Sequence, residues 1–177
     1  MGERVPFEIS CPVVMSHLYY PDRIVLVEEP KKGYSFNLPG GGLDISANKN
    51  AETIFECATR EVQEETGLEE VVIAGFLGID QIKRANKLHI TLAGMAISGD
   101  IHSSAQHPTV KLATLDEVEY LNDHGRLRSP RVINRVRQYF SGQVYPADTI
   151  LQILHNDPYP TIKRQPVQDS PTSSTLF

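Results

Sequence analysis

The chain has 177 residues, a formal net charge of -5 and 40% hydrophobic residues. That length fits one domain, and this apolar content suffices for a core without disulfides or a structural metal. No lysine- and arginine-rich block indicates a surface for duplex nucleic acid, and no segment approaches the roughly 20 apolar residues of a membrane span.

The N-terminal segment and the cysteines predict a cytoplasmic protein. Residues Met1–Pro6 lack the apolar stretch of a secretory signal peptide. Cys11 and Cys57 follow neither a disulfide framework nor a metal-binding spacing, as is typical of a reducing compartment. We expect Cys57 to be a buried thiol in a helix.

The first half of the chain predicts strands that lead into a glycine-rich turn. Residues 11–20 and 23–29 are rich in β-branched and aromatic side chains, and Pro21 and Asp22 predict a turn between them. Residues 34–38 alternate as a short strand. It ends at Pro39–Gly42, because a proline and three glycines stop regular structure.

A helix is predicted over residues 50–66. Asn50 is its expected N-terminal cap, and Gly67 is the expected left-handed residue after its last turn. The apolar residues that share one face of this helix would pack on a sheet; they are Ala51, Ile54, Phe55, Ala58 and Val62.

The second half of the chain alternates between strands and helices. In order, the pattern predicts strands at 70–80 and 87–98, a loop at 99–109, a strand at 110–115, a helix at 116–122 and a helix from Ser129-Pro130 to Gly142. The class is therefore α/β or α+β, with a single domain over 1–155. Residues 156–177, rich in Pro, Gln, Ser and Thr, predict a disordered tail.

Three glutamates on the predicted helix carry the chemical signal. At helical periodicity Glu61, Glu64 and Glu65 fall within an arc of about 100° beside the apolar face. Like charges this close repel each other, so a cation is expected, and Mg²⁺ binds carboxylates together with substrate phosphates. An isolated group of this kind is more often a solvated acidic face. Here the glycine-rich turn, the preceding Arg60 and the following Gly67 favour a metal site.

The region from Leu38 to Leu68 resembles the Nudix box. Seven residues separate Glu52 from the run Arg60–Leu68 (REVQEETGL), and Leu38–Gly42 matches the glycine segment. This resemblance implies a mixed sheet sandwiched between helices, with the box on one side. It also implies a hydrolase that cuts phosphoanhydride bonds in small phosphorylated molecules.

The resemblance assigns a metal site to the box. Glu61, Glu64 and Glu65 match the carboxylates that bind Mg²⁺ or Mn²⁺, and Glu61 or Glu64 would also act as general base on the attacking water. Gly40 matches a glycine whose carbonyl ligates a metal.

Supporting roles are also implied by the resemblance. Glu52 and Arg60 match a pair that braces the helix against the loop, and Gly67 closes the box. Phe36 matches an aromatic position before the glycines, with a place either in the core or against the ligand.

Two features depart from the family pattern. Ten residues, Gly42 to Ala51, separate Gly41 from Glu52, which indicates an insertion around Ile45–Lys49 that a surface loop tolerates. Some members also carry an acidic ligand on a later strand, where this chain has Lys111. Asp100 and Asp116 are the remaining candidates for that ligand.

Residues outside the box bear on the substrate. The segment 125–146 resembles the C-terminal part of the bacterial Nudix phosphatases, which act on thiamine-pathway pyrophosphates and on nucleoside di- and triphosphates. A nucleoside diphosphatase that removes oxidised guanine nucleotides is a close rival.

Several basic and histidine side chains have two interpretations. Lys83 and Arg84, with Lys87, lie at one turn and would meet a substrate phosphate or form a solvated hairpin tip. His17 and His89 are interpreted as core or surface residues of strands. On the last helix, Arg131, Arg135 and Arg137 are interpreted as its solvent-facing side.

Two other functional classes compete with a hydrolase. A Nudix-like domain that binds a nucleotide or metabolite without cutting it would usually lack one or more box carboxylates, and this chain keeps all three and Arg60. An RNA-decapping or RNA-binding protein would be expected to carry a basic patch. Nothing in the sequence indicates an oligomeric state.

Overall fold

The structure is a computed structural model that describes residues 8–30, 33, 35–44 and 52–149, with only the backbone of Arg84. Three predictions lie outside these residues: the cap at Asn50, the insertion around Ile45–Lys49 and the tail over 156–177.

One mixed sheet organises the described part of the chain. Its strands follow the order β4-β3-β2-β6-β5-β8, with β1 beside β6 and β7 beside β3. β1 and β2 run parallel to β6, and the other pairs are antiparallel. The bounds are Glu8–Ser10 (β1), Val13–His17 (β2), Tyr20–Glu29 (β3), Ser35–Asn37 (β4), Glu70–Ile82 (β5), Lys87–Ser98 (β6), Val110–Thr114 (β7) and Tyr145–Pro146 (β8).

Helices cover both faces of this sheet. They are α1 (Ile54–Thr66), α2 (Leu115–Asp123) and α3 (Pro130–Phe140). Because side chains alternate along a strand, Val13 and Met15 of β2 enter the core beneath α1, whereas Val14 enters the core beneath α2 and α3. The predicted α/β domain, a mixed sheet sandwiched between helices, is confirmed.

Helix α1 begins at Ile54, so the predicted start at residue 50 is wrong. Thr53 caps the helix: its hydroxyl accepts from the amide of Glu56, whose carboxylate accepts from the amide of Thr53. This reciprocal pair is the signature of a Thr-x-x-Glu capping box. At the other end Gly67 has φ 78° and closes the helix as predicted.

The predicted turn at Pro21 and Asp22 is also wrong. The chain turns at Leu18 and Tyr19, and both predicted turn residues lie in β3. The pairing of β2 with β3 shifts register between Ser16 and His17. A proline is tolerated beside such an irregularity because no ladder hydrogen bond from it is required there.

The predicted strand over 11–20 is interrupted in the structure. Cys11 and Pro12 separate β1 from β2, although both strands follow the same edge of β6. This interruption positions the glycine-rich turn. No helix among the described residues is both long and apolar enough to span a membrane.

Candidate active site

The glycine-rich turn packs onto the interruption between β1 and β2. The amide of Cys11 donates to the carbonyl of Gly41 at 3.0 Å, and the amide of Val13 donates to that of Pro39 at 2.9 Å. A Cβ on Gly40 would lie 2.5 Å from the Cα of Pro12, and its φ is 143°. Position 40 therefore requires glycine for both space and backbone conformation.

Helix α1 brings two box glutamates against this turn. A Cβ added to Gly41 would overlap the carboxylate of Glu61. The amide of Gly40 donates to Oε2 of Glu65 at 2.8 Å. Both carboxylates therefore meet the backbone of the turn directly, because the glycines place no side chain in their way.

Arg60 connects the helix to the loop before it. Its guanidinium makes two bonds to Glu52, from Nε at 2.7 Å and from Nη2 at 3.0 Å, and it also reaches the carbonyl of Gly42. Its Nη1 donates to Glu61 at 2.7 Å and to Glu64 at 3.2 Å. The hydrogen bonds from Arg60 lower the pKa of Glu52. A two-pronged guanidinium–carboxylate contact fixes geometry as well as charge.

A histidine that the sequence analysis did not single out holds Glu65. His107 is buried, and its Nε2 lies 3.1 Å from Oε1 of Glu65. Its Nδ1 lies 3.1 Å from the carbonyl oxygen of Glu28, so Nδ1 is the donor because a carbonyl only accepts. Burial raises the pKa of Glu65 to about 7, although the Gly40 amide and His107 act in the opposite direction. The loop containing His107 has no periodic pattern, so the sequence held no signal for this contact.

A cavity of about 430 Å³ opens beside the turn. Gly40 and Gly41 belong to its wall, which continues along the ends of β5 and β6 to the start of α3. The wall is mainly polar and charged; its acidic, basic and histidine residues are Glu8, Glu29, Asp80, Lys87, His89, Arg128, Arg131 and Arg135. This volume lies within the ordinary range of small-molecule sites.

The NUDIX domain family matches residues 12–135, which is more than half of the chain. The chain belongs to the Nudix family. Comparison with curated proteins gives no match.

Solved Nudix structures share the fold at low sequence identity. A Nudix hydrolase from Nitrosomonas europaea is 24% identical with a TM-score of 0.66, over 81% of this chain and 95% of that one. A C. elegans Ap4A hydrolase is 15% identical with a TM-score of 0.60, over 76% and 97%. A MutT protein from Methanosarcina mazei Go1 is 19% identical with a TM-score of 0.57, over 80% and 99%. At such identities the similarity carries the fold alone.

The box carboxylates suit a hard divalent cation in their chemistry, because carboxylate oxygens are the ligands that Mg²⁺ and Mn²⁺ prefer. Glu61 occupies the space that a side chain at position 41 would fill, and Glu65 is held at Gly40. Within the described ranges, however, no three His, Cys, Asp or Glu side chains are arranged as a ready metal site. Arg60 holds Glu61 and Glu64, and His107 holds Glu65. A cation would therefore compete with Arg60 for Glu61 and Glu64, whereas His107 would orient the Glu65 carboxylate.

Of the three residues considered for ligand contact, Phe36 and Lys83 do not line the cavity. Phe36 is 6% exposed and packs in the core, with the Lys111 ammonium 4.5 Å from its ring centroid. Lys83 is exposed on a single 3₁₀ turn outside the cavity wall, and the side chain of Arg84 is outside the description. Phe36 therefore belongs to the core and not to a stacking surface.

The later acidic candidates make no described contact with the box carboxylates. Asp100 and Asp116 are exposed, Asp100 after β6 and Asp116 in the first turn of α2. Neither has a hydrogen bond or ion pair with Glu61, Glu64 or Glu65 among the described contacts. In this part of the sequence, His107 is the described residue whose side chain contacts a box carboxylate.

The arginines of α3 do not share one solvent-facing role. Arg137 is exposed and pairs with Glu119. Arg135 is largely covered, pairs with Asp80 at 2.8 Å and donates to the carbonyl of Leu77 at 2.7 Å. Arg131 faces the cavity. The solvent-face interpretation is thus wrong for Arg135 and incomplete for Arg131.

Proposed function

We propose that this protein is a divalent-metal-dependent hydrolase that cuts phosphoanhydride bonds in small-molecule di- or triphosphates, with Mg²⁺ or Mn²⁺ as the cofactor. Nucleoside di- and triphosphates and thiamine diphosphate are the candidate substrates. Family membership supports the reaction class, and the cysteine usage supports a cytoplasmic location.

One observation carries this proposal. The carboxylate of Glu61 lies directly against Gly41, and Gly41 with Gly40 forms part of the cavity wall. A phosphorylated ligand in the cavity would therefore lie beside the box carboxylates, with only glycine backbone between them. A site built from small residues permits the close approach that a metal-bridged phosphate needs.

In this proposal, metal binding, proton transfer and support of the helix each fall to particular residues. Glu61, Glu64 and Glu65, with the Gly40 carbonyl, would hold the metal. The bound metal would polarise the phosphoryl oxygens, lower the pKa of a water and stabilise the leaving phosphate. Glu64, which is 60% exposed, or Glu61 would take the proton from the attacking water. Arg60 and Glu52 would keep α1 in register with the loop.

The named activities of solved relatives support a nucleotide-type substrate. They include an Ap4A hydrolase and a UDP-X diphosphatase. The segment 125–146, through its resemblance to the thiamine-pathway phosphatases, supports thiamine diphosphate as the second candidate.

The test is release of phosphate and pyrophosphate with Mg²⁺ from nucleoside di- and triphosphates, thiamine diphosphate, dinucleoside polyphosphates and ADP-ribose. Glu64→Gln should lower kcat by at least a hundredfold, because loss of a general base costs about 10²–10⁴. Glu70→Gln, at an exposed position at the start of β5, is the matched control and should keep full activity.

If no compound of this panel is hydrolysed but one binds tightly, the proposed hydrolase function is overturned and a Nudix-like binding domain is favoured. Activity that survives in Glu64→Gln, and also in Glu61→Gln, would show that the hydrolysis does not use the box glutamates.

A further inference from the structure

The charges of the cavity wall are almost fully paired. Three cations of the wall are each held by an acid of the same wall: Lys87 by Glu8 at 2.6 Å, Arg128 by Glu29 at 3.4 Å and Arg135 by Asp80 at 2.8 Å. Paired charges of this kind fix the shape of a cavity and contribute little net charge to a ligand.

Arg131 is the exception among the described cations of the wall. It lines the cavity and makes no hydrogen bond or ion pair with any described residue. It lies in the first turn of α3, directly after Pro130. Its guanidinium is therefore available to a ligand, and guanidinium groups match phosphate and carboxylate geometry.

His89 supplies a second available polar group in the same wall. Its half-buried imidazole also makes no hydrogen bond with the described residues. Burial, with the nearby positive charges of Lys87 and Arg131, lowers the pKa of His89. The ring is therefore neutral at physiological pH, where it offers one N–H donor and adds no positive charge that would repel Arg131.

We propose that Arg131 and His89 form a subsite for a second anionic group of the substrate, a phosphate or a carboxylate, distinct from the phosphoanhydride bond at the box. The proposal rests on the proposed function in one respect: only if the protein is a hydrolase is the ligand of this subsite a substrate. Its chemistry selects compounds that carry an additional anion, such as a nucleoside triphosphate. It disfavours thiamine diphosphate, whose remaining part is a cationic ring that Arg131 would repel.

The test is binding, so that it does not depend on turnover. All proteins carry Glu64→Gln, and calorimetry in Ca²⁺ measures their affinities for two matched ligand pairs: ATP with ADP, which differ by a phosphate, and UDP-glucuronate with UDP-glucose, which differ by a carboxylate. Arg131→Gln should weaken the more anionic member of at least one pair by roughly tenfold to a hundredfold, as expected for a lost charge-assisted hydrogen bond. The other member should change less than about threefold.

Three further proteins complete the design. His89→Leu should weaken the same ligand in the same direction, and Arg131→Lys should recover part of the affinity because it restores the charge. Arg137→Gln is the matched control, since it removes an exposed arginine of the same helix that pairs with Glu119, and it should leave all four affinities unchanged. Thermal unfolding checks that each variant is folded.

The pair that responds identifies the anion as phosphate or carboxylate. Equal weakening of both members of each pair, no weakening in Arg131→Gln, or no binding of any of the four ligands would overturn the subsite. A protein with intact Glu64 that shows this selectivity but hydrolyses nothing would overturn the hydrolase while leaving the subsite standing.

Discussion

At the scale of single residues, the contact between Gly41 and Glu61 depends on a missing side chain. A Cβ at position 41 would overlap the Glu61 carboxylate, whereas one at Gly42 would meet only an oxygen of Glu8, at 3.6 Å. Because the obstructed group is the end of a flexible side chain, it would move aside at small cost. A side chain at position 41 would therefore leave the fold intact but displace the Glu61 carboxylate.

Gly41→Ala should therefore lower kcat/KM by at least tenfold and change the melting temperature by no more than about 3 °C, since displacement of a reacting group costs far more in catalysis than in stability. Hydrolysis assays and thermal unfolding measure the two effects. Gly42→Ala is the matched control and should retain activity. Equal activity of the two variants would contradict the role assigned to Glu61.

His107 offers a second test, because its two ring nitrogens have separate partners. An asparagine at this position would place its amide near the Nδ1 position, toward the Glu28 carbonyl. A glutamine would place its amide near Nε2, toward Glu65. We expect His107→Asn to weaken metal binding by roughly tenfold to a hundredfold, the usual cost of losing a group that orients a metal ligand, and His107→Gln to weaken it less.

Titration with Mn²⁺ followed by electron paramagnetic resonance measures this affinity without substrate. The Mg²⁺ concentration for half-maximal activity should shift in the same order. If both variants lose stability equally and bind Mn²⁺ as the unchanged protein does, His107 serves only the packing of its loop.

At the scale of secondary structure elements, α1 and α2 begin in the same way. Thr53 with Glu56, and Thr114 with Glu117, form reciprocal capping boxes. Each threonine hydroxyl and each glutamate satisfies an amide that the first turn leaves without an intrahelical partner. The start of α1, and with it the position of the box glutamates, is thus set by local sequence.

The cap of α2 predicts a pH dependence of stability. The amide of Thr114 donates to Glu117 and lowers the pKa of that carboxyl. A lowered folded-state pKa contributes stability above the unfolded pKa of about 4.3, and this stability is lost as the pH falls through the folded value. Glu117→Gln should cost about 0.5 kcal/mol at pH 7, a small value for an exposed group, and progressively less as the pH falls through the folded-state pKa of Glu117.

Denaturant unfolding across this pH range measures the difference. Asp116→Asn is the control, because it removes a charge from the same first turn without removing the bond to Thr114. A Glu117→Gln deficit that stays constant from pH 7 to pH 3 would contradict the ionised cap.

At the scale of the whole molecule, the proposed metal site joins parts of the chain that lie far apart in sequence. Glu65 lies in the last turn of α1, Gly40 belongs to the turn after β4, and His107 comes from the loop before β7. A cation bound to Glu65 would hold all three segments together in the folded state. Because it would bind the folded state selectively, it should stabilise the protein against unfolding.

We expect Mg²⁺ to raise the free energy of unfolding by about 2.7 kcal/mol at a concentration of 100 Kd. Thermal unfolding with increasing Mg²⁺, reversed by a chelator, measures this gain. A variant with Glu61, Glu64 and Glu65 all changed to Gln should show no gain. The same increase in that variant would place the stabilising cation elsewhere.

The features that sequence predicted are those that depend on neighbours along the chain. The periodicity of apolar residues predicted α1 and most strands, and Ser129-Pro130 predicted the start of α3. The motif predicted that the box glutamates lie close together. The Thr53 cap was also readable from Thr-x-x-Glu and was missed because Asn50 offered a competing cap residue.

Features that depend on distant partners were not predictable in this way. The placement of Pro21 inside a strand depends on a register shift against β2, and the short β8 exists because it pairs with β5. The helical periodicity places Arg135 on the solvent-facing side of α3, whereas in the structure its guanidinium binds Asp80 and the carbonyl of Leu77. Sequence spacing does not encode which strand end a helix side chain will meet.

The reactivity of the two cysteines can report on the movement of the glycine-rich turn. Both are fully buried, and the Cys57 thiol faces the carbonyls of Gly41 and Gly42. Contact with Cys57, together with burial, raises the pKa of Cys11 well above its usual range. Cys57 is shielded from solvent by its burial, so neither thiol should react with an alkylating reagent while the turn is closed. The rate of alkylation then measures how frequently the turn separates from the strands. A ligand that binds across Gly40 and Gly41 would slow that rate, with no label introduced into the protein.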